Sequence, residues 1–139
     1  GFGLDLEKCI VSGSKKDLVK YRLSRAKETL EDAQILADNK KWNSTINRLY
    51  YAAYYAVMAL LLDADLKPAT HNGAKSSFSE HFIKKELIPK KYGKIYSQLF
   101  TWRHKGDYDD LYDFTQDTVE PYFEPVQELI ELVEKMVNT

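Results

Sequence analysis

The residues best equipped for chemistry fall in three short segments. The first is Trp102-Arg103-His104-Lys105-Gly106-Asp107-Tyr108-Asp109. An arginine there offers a planar fork for phosphate or carboxylate, and Asp107 and Tyr108 follow within reach. The second is the run Asn47-Arg48-Leu49-Tyr50-Tyr51-Ala52-Ala53-Tyr54-Tyr55-Ala56. Arg48 in so apolar a helix needs an acidic or phosphate partner, and Asp107 or an acid of the last helix is the candidate. Helical spacing sets Arg48, Tyr51 and Tyr55 on one face and Tyr50 and Tyr54 on another, so Asn47, Arg48 and Tyr51 can form one wall of a pocket. The third is His71 in Thr70-His71-Asn72-Gly73, a group that titrates near neutrality and can touch phosphate or shuttle a proton. Each has a plain structural reading beside it. The tyrosines are large packing residues, Arg103 with Asp107 caps a helix end, and a histidine at a helix start makes a loop contact.

Other chemistries lack their residues. A single Cys9 allows no internal disulfide, and no Cys pairs or HExxH support zinc. There is no GxxxxGK[ST], GxGxxG or GxSxG, so P-loop, dinucleotide and α/β-hydrolase chemistry are set aside. Neither a metal nor a cofactor is expected. The 139 residues carry a net charge of −1, with 44% apolar and 29% charged side chains, as expected of a soluble globular domain. The absence of a membrane-length apolar run and of a signal-peptide pattern leads to the expectation of a cytoplasmic protein. Charge is unevenly placed. Residues 75–105 hold eight basic and two acidic side chains, residues 106–139 one and ten. The basic block is either a polyanion patch or a set of solvated helix faces paired with acids elsewhere.

These segments need helices to hold them. Val19, Leu23, Ala26, Leu30, Ala33 and Ala37 recur at spacings of four and three, which predicts a helix over 17–38 with Asp17 as N-cap. A second helix, 42–64, opens near Asn43-Ser44 and becomes apolar nearly all round, the mark of a bundle centre. A shorter helix follows over 72–85, with His81 at its edge. Pro89 and Gly93 punctuate the next connection, and a helix over 92–104 carries Ile95, Leu99 and Trp102. A loop at 105–114 leads to a last helix over 117–137, which Pro125 should bend. The fold class is all-α, an antiparallel up-and-down bundle of about five helices.

The Asn47-to-Ala52 run behind a long amphipathic helix, with the Arg103-x-x-x-Asp107-Tyr108 element, resembles the small helical HEPN domains of prokaryotes. The likeness is to a stand-alone group with an R-x-x-x-D-Y element, which looks similar around His71, and it covers residues 17–137. It implies a four-helix-bundle core, one domain over 17–139 and an N-terminal arm over 1–16. Many HEPN proteins are metal-independent ribonucleases in which an Arg holds the scissile phosphate and a His four to six residues later does the acid/base work, usually across a dimer interface. Here Tyr108 stands five residues after Arg103, and a phenol with pKa near 10 is a poor base at neutral pH. His104 should point elsewhere on the helix.

The resemblance thus implies a homodimer in a toxin–antitoxin or defence setting. It would bind RNA, a nucleotide or a nucleotidyltransferase partner through Asn47, Arg48, Tyr51, His71, Arg103, Asp107 and Tyr108, without the usual ribonuclease activity. In nucleotidyltransferase-linked members a tyrosine near this motif can accept a nucleotide, which implies such a role for Tyr108. Two alternatives stand beside this: a divergent endoribonuclease using Arg103 with Tyr108 or His71, and a purely structural dimerisation module.

Overall fold

The computed structural model describes residues 14–108 and 113–138, and for Gly106, Asp107 and Tyr108 the backbone alone. The arm expected over residues 1–16 therefore lies almost wholly outside the described residues. Helix α1 spans Lys15–Asp38 and α2 spans Trp42–Asp63. A short α3, His71–Phe78, runs on into a π-turn at Ser79–Ile83. Helix α4 spans Lys90–Tyr108. The last helix is interrupted: α5 at Gln116–Val119, a 3-10 turn at Glu120–Tyr122, and α6 at Phe123–Val137. Among the described residues there are no strands, and no helix is long and apolar enough to cross a membrane. The all-α bundle is as the sequence implies.

The pairing of α1 with α2 is the most extensive in the molecule. It rests on small residues: Ala26, Ala33 and Ala37 of α1 are buried, as are Ala52, Ala53, Ala56 and Ala59 of α2. Small side chains let two helices approach closely along their length. The Lys15 ammonium at the start of α1 reaches Asp65 just past the end of α2 at 3.2 Å, which fixes the pair as antiparallel. Lys27 of α1 pairs with Glu134 of α6, tying the first and last helices together. Thr29 is the one buried polar side chain on α1, and its hydroxyl has no hydrogen-bond partner among the described residues. An orphaned buried hydroxyl costs about 1–3 kcal/mol. Thr29→Val, which keeps the shape, should therefore raise stability by about 1 kcal/mol, seen as a higher urea midpoint at unchanged slope.

Several boundaries differ from the periodicity reading, for identifiable reasons. Ser14, not Asp17, caps α1: its Oγ accepts from the Asp17 amide at 3.2 Å. Asn43 does not cap α2; its Oδ1 instead accepts from the Phe114 amide at 2.9 Å, pinning the approach to α5 against the start of α2. Gly93 lies inside α4 rather than in a connection, and the buried face of α4 is Tyr92, Tyr96 and Leu99, with Ile95 and Trp102 half-buried beside it. In place of one continuous helix with a bend at Pro125, the helix is interrupted one turn before it. That proline has no N–H for the carbonyl of residue 121, and its ring crowds that carbonyl, so the chain tightens to a 3-10 turn over 120–122. Helix α4 also continues to Tyr108, so Gly106 is helical and the Arg103–Asp107–Tyr108 element belongs to a last helical turn rather than to a loop.

Candidate functional site

The geometry begins with two prearranged ends. Thr70 caps α3, its hydroxyl accepting from the Gly73 amide at 2.9 Å. A Cβ on residue 73 would stand 3.1 Å from that hydroxyl and 3.3 Å from the Pro68 side chain, so glycine is what lets the 68–70 strap lie so close. This places His71, the first residue of α3, against the tyrosine face of α2. Its Nδ1 lies 2.7 Å from the Tyr50 hydroxyl, and its ring stacks on Tyr54 with centroids 4.4 Å apart. The bond to Tyr50 fixes the ring orientation and leaves Nε2 as the remaining nitrogen.

Arg103 arrives from α4 on the other side. Its guanidinium lies 5.0 Å from the Tyr50 ring centroid and 5.9 Å from that of Tyr51. Its Nε is buried with no hydrogen-bond partner among the described residues. Tyr51 joins the sequence-predicted halves: it carries the Arg48 guanidinium at 5.1 Å, and its ring meets that of His71 edge-on at 5.8 Å. Arg48 takes neither a carboxylate nor an α6 residue among the described partners. It binds the neighbouring Asn47 Oδ1 through Nε at 3.1 Å and through a terminal nitrogen at 2.7 Å. Together with the face of Tyr51, this satisfies much of a half-buried guanidinium with no counter-ion among the described residues.

The outcome is a cleft of about 430 Å³ between the start of α3 and the end of α4, lined by His71, Asn72, Phe100, Thr101, Arg103 and Lys105 among others. His104 also lines it, against the expectation that it would point away. Asn47, Arg48 and Tyr51 are not among the residues that line this cleft; Tyr51 meets it only through its edge-on contact with His71. The side chains of Asp107 and Tyr108 lie outside the described residues.

Electrostatics sharpen the picture. Burial, and secondly the Arg103 charge, hold His71 below the usual histidine range, so it is neutral at pH 7. Burial pushes the Tyr50 phenol up to about 12, and that of Tyr96 well above its ordinary value. Tyr50 thus stays protonated and serves as a fixed hydrogen-bonding group. A cation beside a neutral imidazole is suited to an anion that needs both a charge partner and a proton donor or acceptor.

Sequence reasoning named His71, Arg103 and Tyr51, yet it missed Tyr50 and Tyr54 as the surfaces that position them. The available signal was the i, i+4 relation of Tyr50 and Tyr54, which puts two rings on the face that His71 meets. Among the described residues no group of His, Cys, Asp and Glu could hold a metal ion.

Comparison with known proteins agrees with this architecture. The model of the HEPN domain matches residues 19–136. A UPF0332 protein of Thermotoga maritima is 34% identical over 124 residues, covering 89% of this chain and 94% of that one. A Methanocaldococcus jannaschii protein named "Putative toxin MJ0605" is 31% identical over 101 residues, 73% of this chain and 75% of its own. A second protein of that organism, named "Putative toxin MJ0142", is 26% identical over 106 residues, covering 76% of this chain and 71% of its own.

Proposed function

The chain belongs to the HEPN family, and from that premise we propose that it is the toxin-type component of a prokaryotic toxin–antitoxin pair whose α3–α4 cleft binds the phosphodiester of RNA. The carrying observation is the convergence of Arg103 and His71 on one cleft, the guanidinium without a carboxylate partner among the described residues and the imidazole held by Tyr50. In this reading Arg103 supplies charge to the phosphate and His71 adds a hydrogen bond, while Tyr50 and Tyr54 hold the imidazole in place. The homodimer and the nucleotidyltransferase partner implied by the family resemblance go with it.

A specific observation favours a second reading, cleavage. The family's ribonuclease spacing lacks its histidine here, but His71 brings a neutral imidazole to Arg103 from a different helix. The two readings part in one assay. Labelled single-stranded RNA is incubated, with chelator present, with wild type, Arg103→Ala and His71→Ala. The binding reading expects retarded but intact RNA with wild type and loss of retardation with Arg103→Ala. Cleavage by wild type that both substitutions abolish establishes the second reading instead, and RNA that wild type neither binds nor cuts sinks both.

A further inference from the structure

A second groove adjoins the cleft, and the chemistry of its walls is simple. It lies between the α3–π-turn segment and α4, encloses about 880 Å³, and shares Asn72 and Thr101 with the Arg103–His71 cleft. Four lysines line it: Lys75 and Lys84 on one side, Lys90 and Lys94 on the other. Glu80 is its one acidic residue. Among the described residues none of these lysines is in an ion pair; Lys75 instead rests on the face of Phe100, its ammonium 4.7 Å from the ring centroid. Solvated lysines scattered round a helix would need no explanation. These are concentrated in one concavity.

The groove is also built. Lys90, Lys94, Ser97 and Thr101 follow one another at spacings of four, three and four, a single polar stripe along α4 that ends at the cleft. At 1.5 Å per residue the stripe from Lys90 to Lys105 runs about 22 Å, long enough for several nucleotides. The floor depends on Gly93: a Cβ there would stand 3.1–3.3 Å from three carbons of Ile83, so glycine lets the π-turn seat against α4. The rings that line the groove, Phe78 and Tyr96, are buried. A groove with charged and hydroxyl groups but no exposed ring contacts phosphates rather than bases, and it lacks the large exposed anchors that a protein partner fills.

We propose that this groove is a sequence-independent track for the backbone of single-stranded RNA, carrying the strand that flanks the phosphate held at Arg103. The proposal rests on the function proposed above and adds to it a requirement for length. Its test compares a labelled uridine 12-mer with the dinucleotide UpU, by anisotropy and calorimetry, in wild type and in Lys90→Glu/Lys94→Glu. Wild type is expected to bind the 12-mer at least tenfold more tightly than UpU. The double variant should lose that gain while its UpU affinity stays within twofold of wild type. The slope of log affinity against log salt for the 12-mer should become shallower by about 1.4, the effect of two lost phosphate contacts on a single strand.

A double variant that binds the 12-mer as wild type does, while UpU still binds the cleft, overturns the track and leaves the cleft assignment standing. So does poly-glutamate competing as well as RNA of equal charge, which marks the groove as a surface for an acidic protein. If wild type binds neither RNA, the cleft assignment fails and the track with it.

Discussion

Arg103→Ala is expected to weaken RNA binding by about 10- to 100-fold, since one charge-assisted contact to phosphate is worth about 1.5–3 kcal/mol. The fold should survive, because the lost cation–π contact with Tyr50 contributes only about 0.5–2 kcal/mol. The same substitution carries a second signature. Burial and then the Arg103 charge hold down the His71 pKa, so removing the charge should move the pKa up toward its ordinary value without restoring it fully. The sign in stability follows. As pH falls below the ordinary histidine range, the unfolded chain takes up a proton that folded His71 resists, so stability declines with acid there. The decline should be smaller in Arg103→Ala. Denaturant midpoints between pH 7 and pH 5 read it directly.

Tyr50→Ala should cost the fold about 3–5 kcal/mol, the range for deleting a large aromatic from a core. Tyr50 is fully buried, touches the rings of Tyr51, Tyr54, Tyr96 and Phe100, and holds His71. Tyr50→Phe separates packing from polarity. It keeps the ring and loses the hydroxyl, so the expected loss is only about 1 kcal/mol. His71 then loses the group that orients it, and binding of UpU should fall while stability hardly moves. Chemical denaturation of both variants, with calorimetry on Tyr50→Phe, checks the split.

The bundle was legible because burial follows period. The stripe of Val19, Leu23, Ala26, Ala33 and Ala37 is buried as its spacing implies, with Leu30 only half-buried and Thr29 taking the buried place at that turn, and α2 is apolar nearly all round because it lies at the centre. Helix ends were less legible because their chemistry is atypical. Lys40, Asp65 and Glu86 adopt left-handed φ near 60° where glycine is usual, and each supports the same pair of closing backbone bonds, such as Lys41 N–H to the Leu36 carbonyl at 2.9 Å. No glycine marks those stops. The extension of α4 through Gly106 was hidden for the opposite reason, a glycine that does not end its helix.

The site was half visible. Residue type singled out Arg103 and His71, and the aromatic excess singled out α2. What one sequence could not supply is that α3 turns His71 onto Tyr50 and Tyr54, a tertiary contact spanning 21 residues in the chain. The same holds for Arg48. Among the described residues Arg48 meets the amide of Asn47 and the face of Tyr51, while the side chain of Asp107, its expected acidic partner, lies outside them.

The central claim is that Arg103 and His71 act on one phosphate, and histidine-detected NMR tests it most directly. The chain has three histidines, so the imidazole signals of His71 can be separated from those of His81 and His104 by single substitutions. Adding UpU to wild type should shift the His71 signals saturably and leave His81 in place. The same concentrations should leave His71 unmoved in Arg103→Ala. UpU that never perturbs His71, or that perturbs it equally without Arg103, would contradict a shared phosphate site.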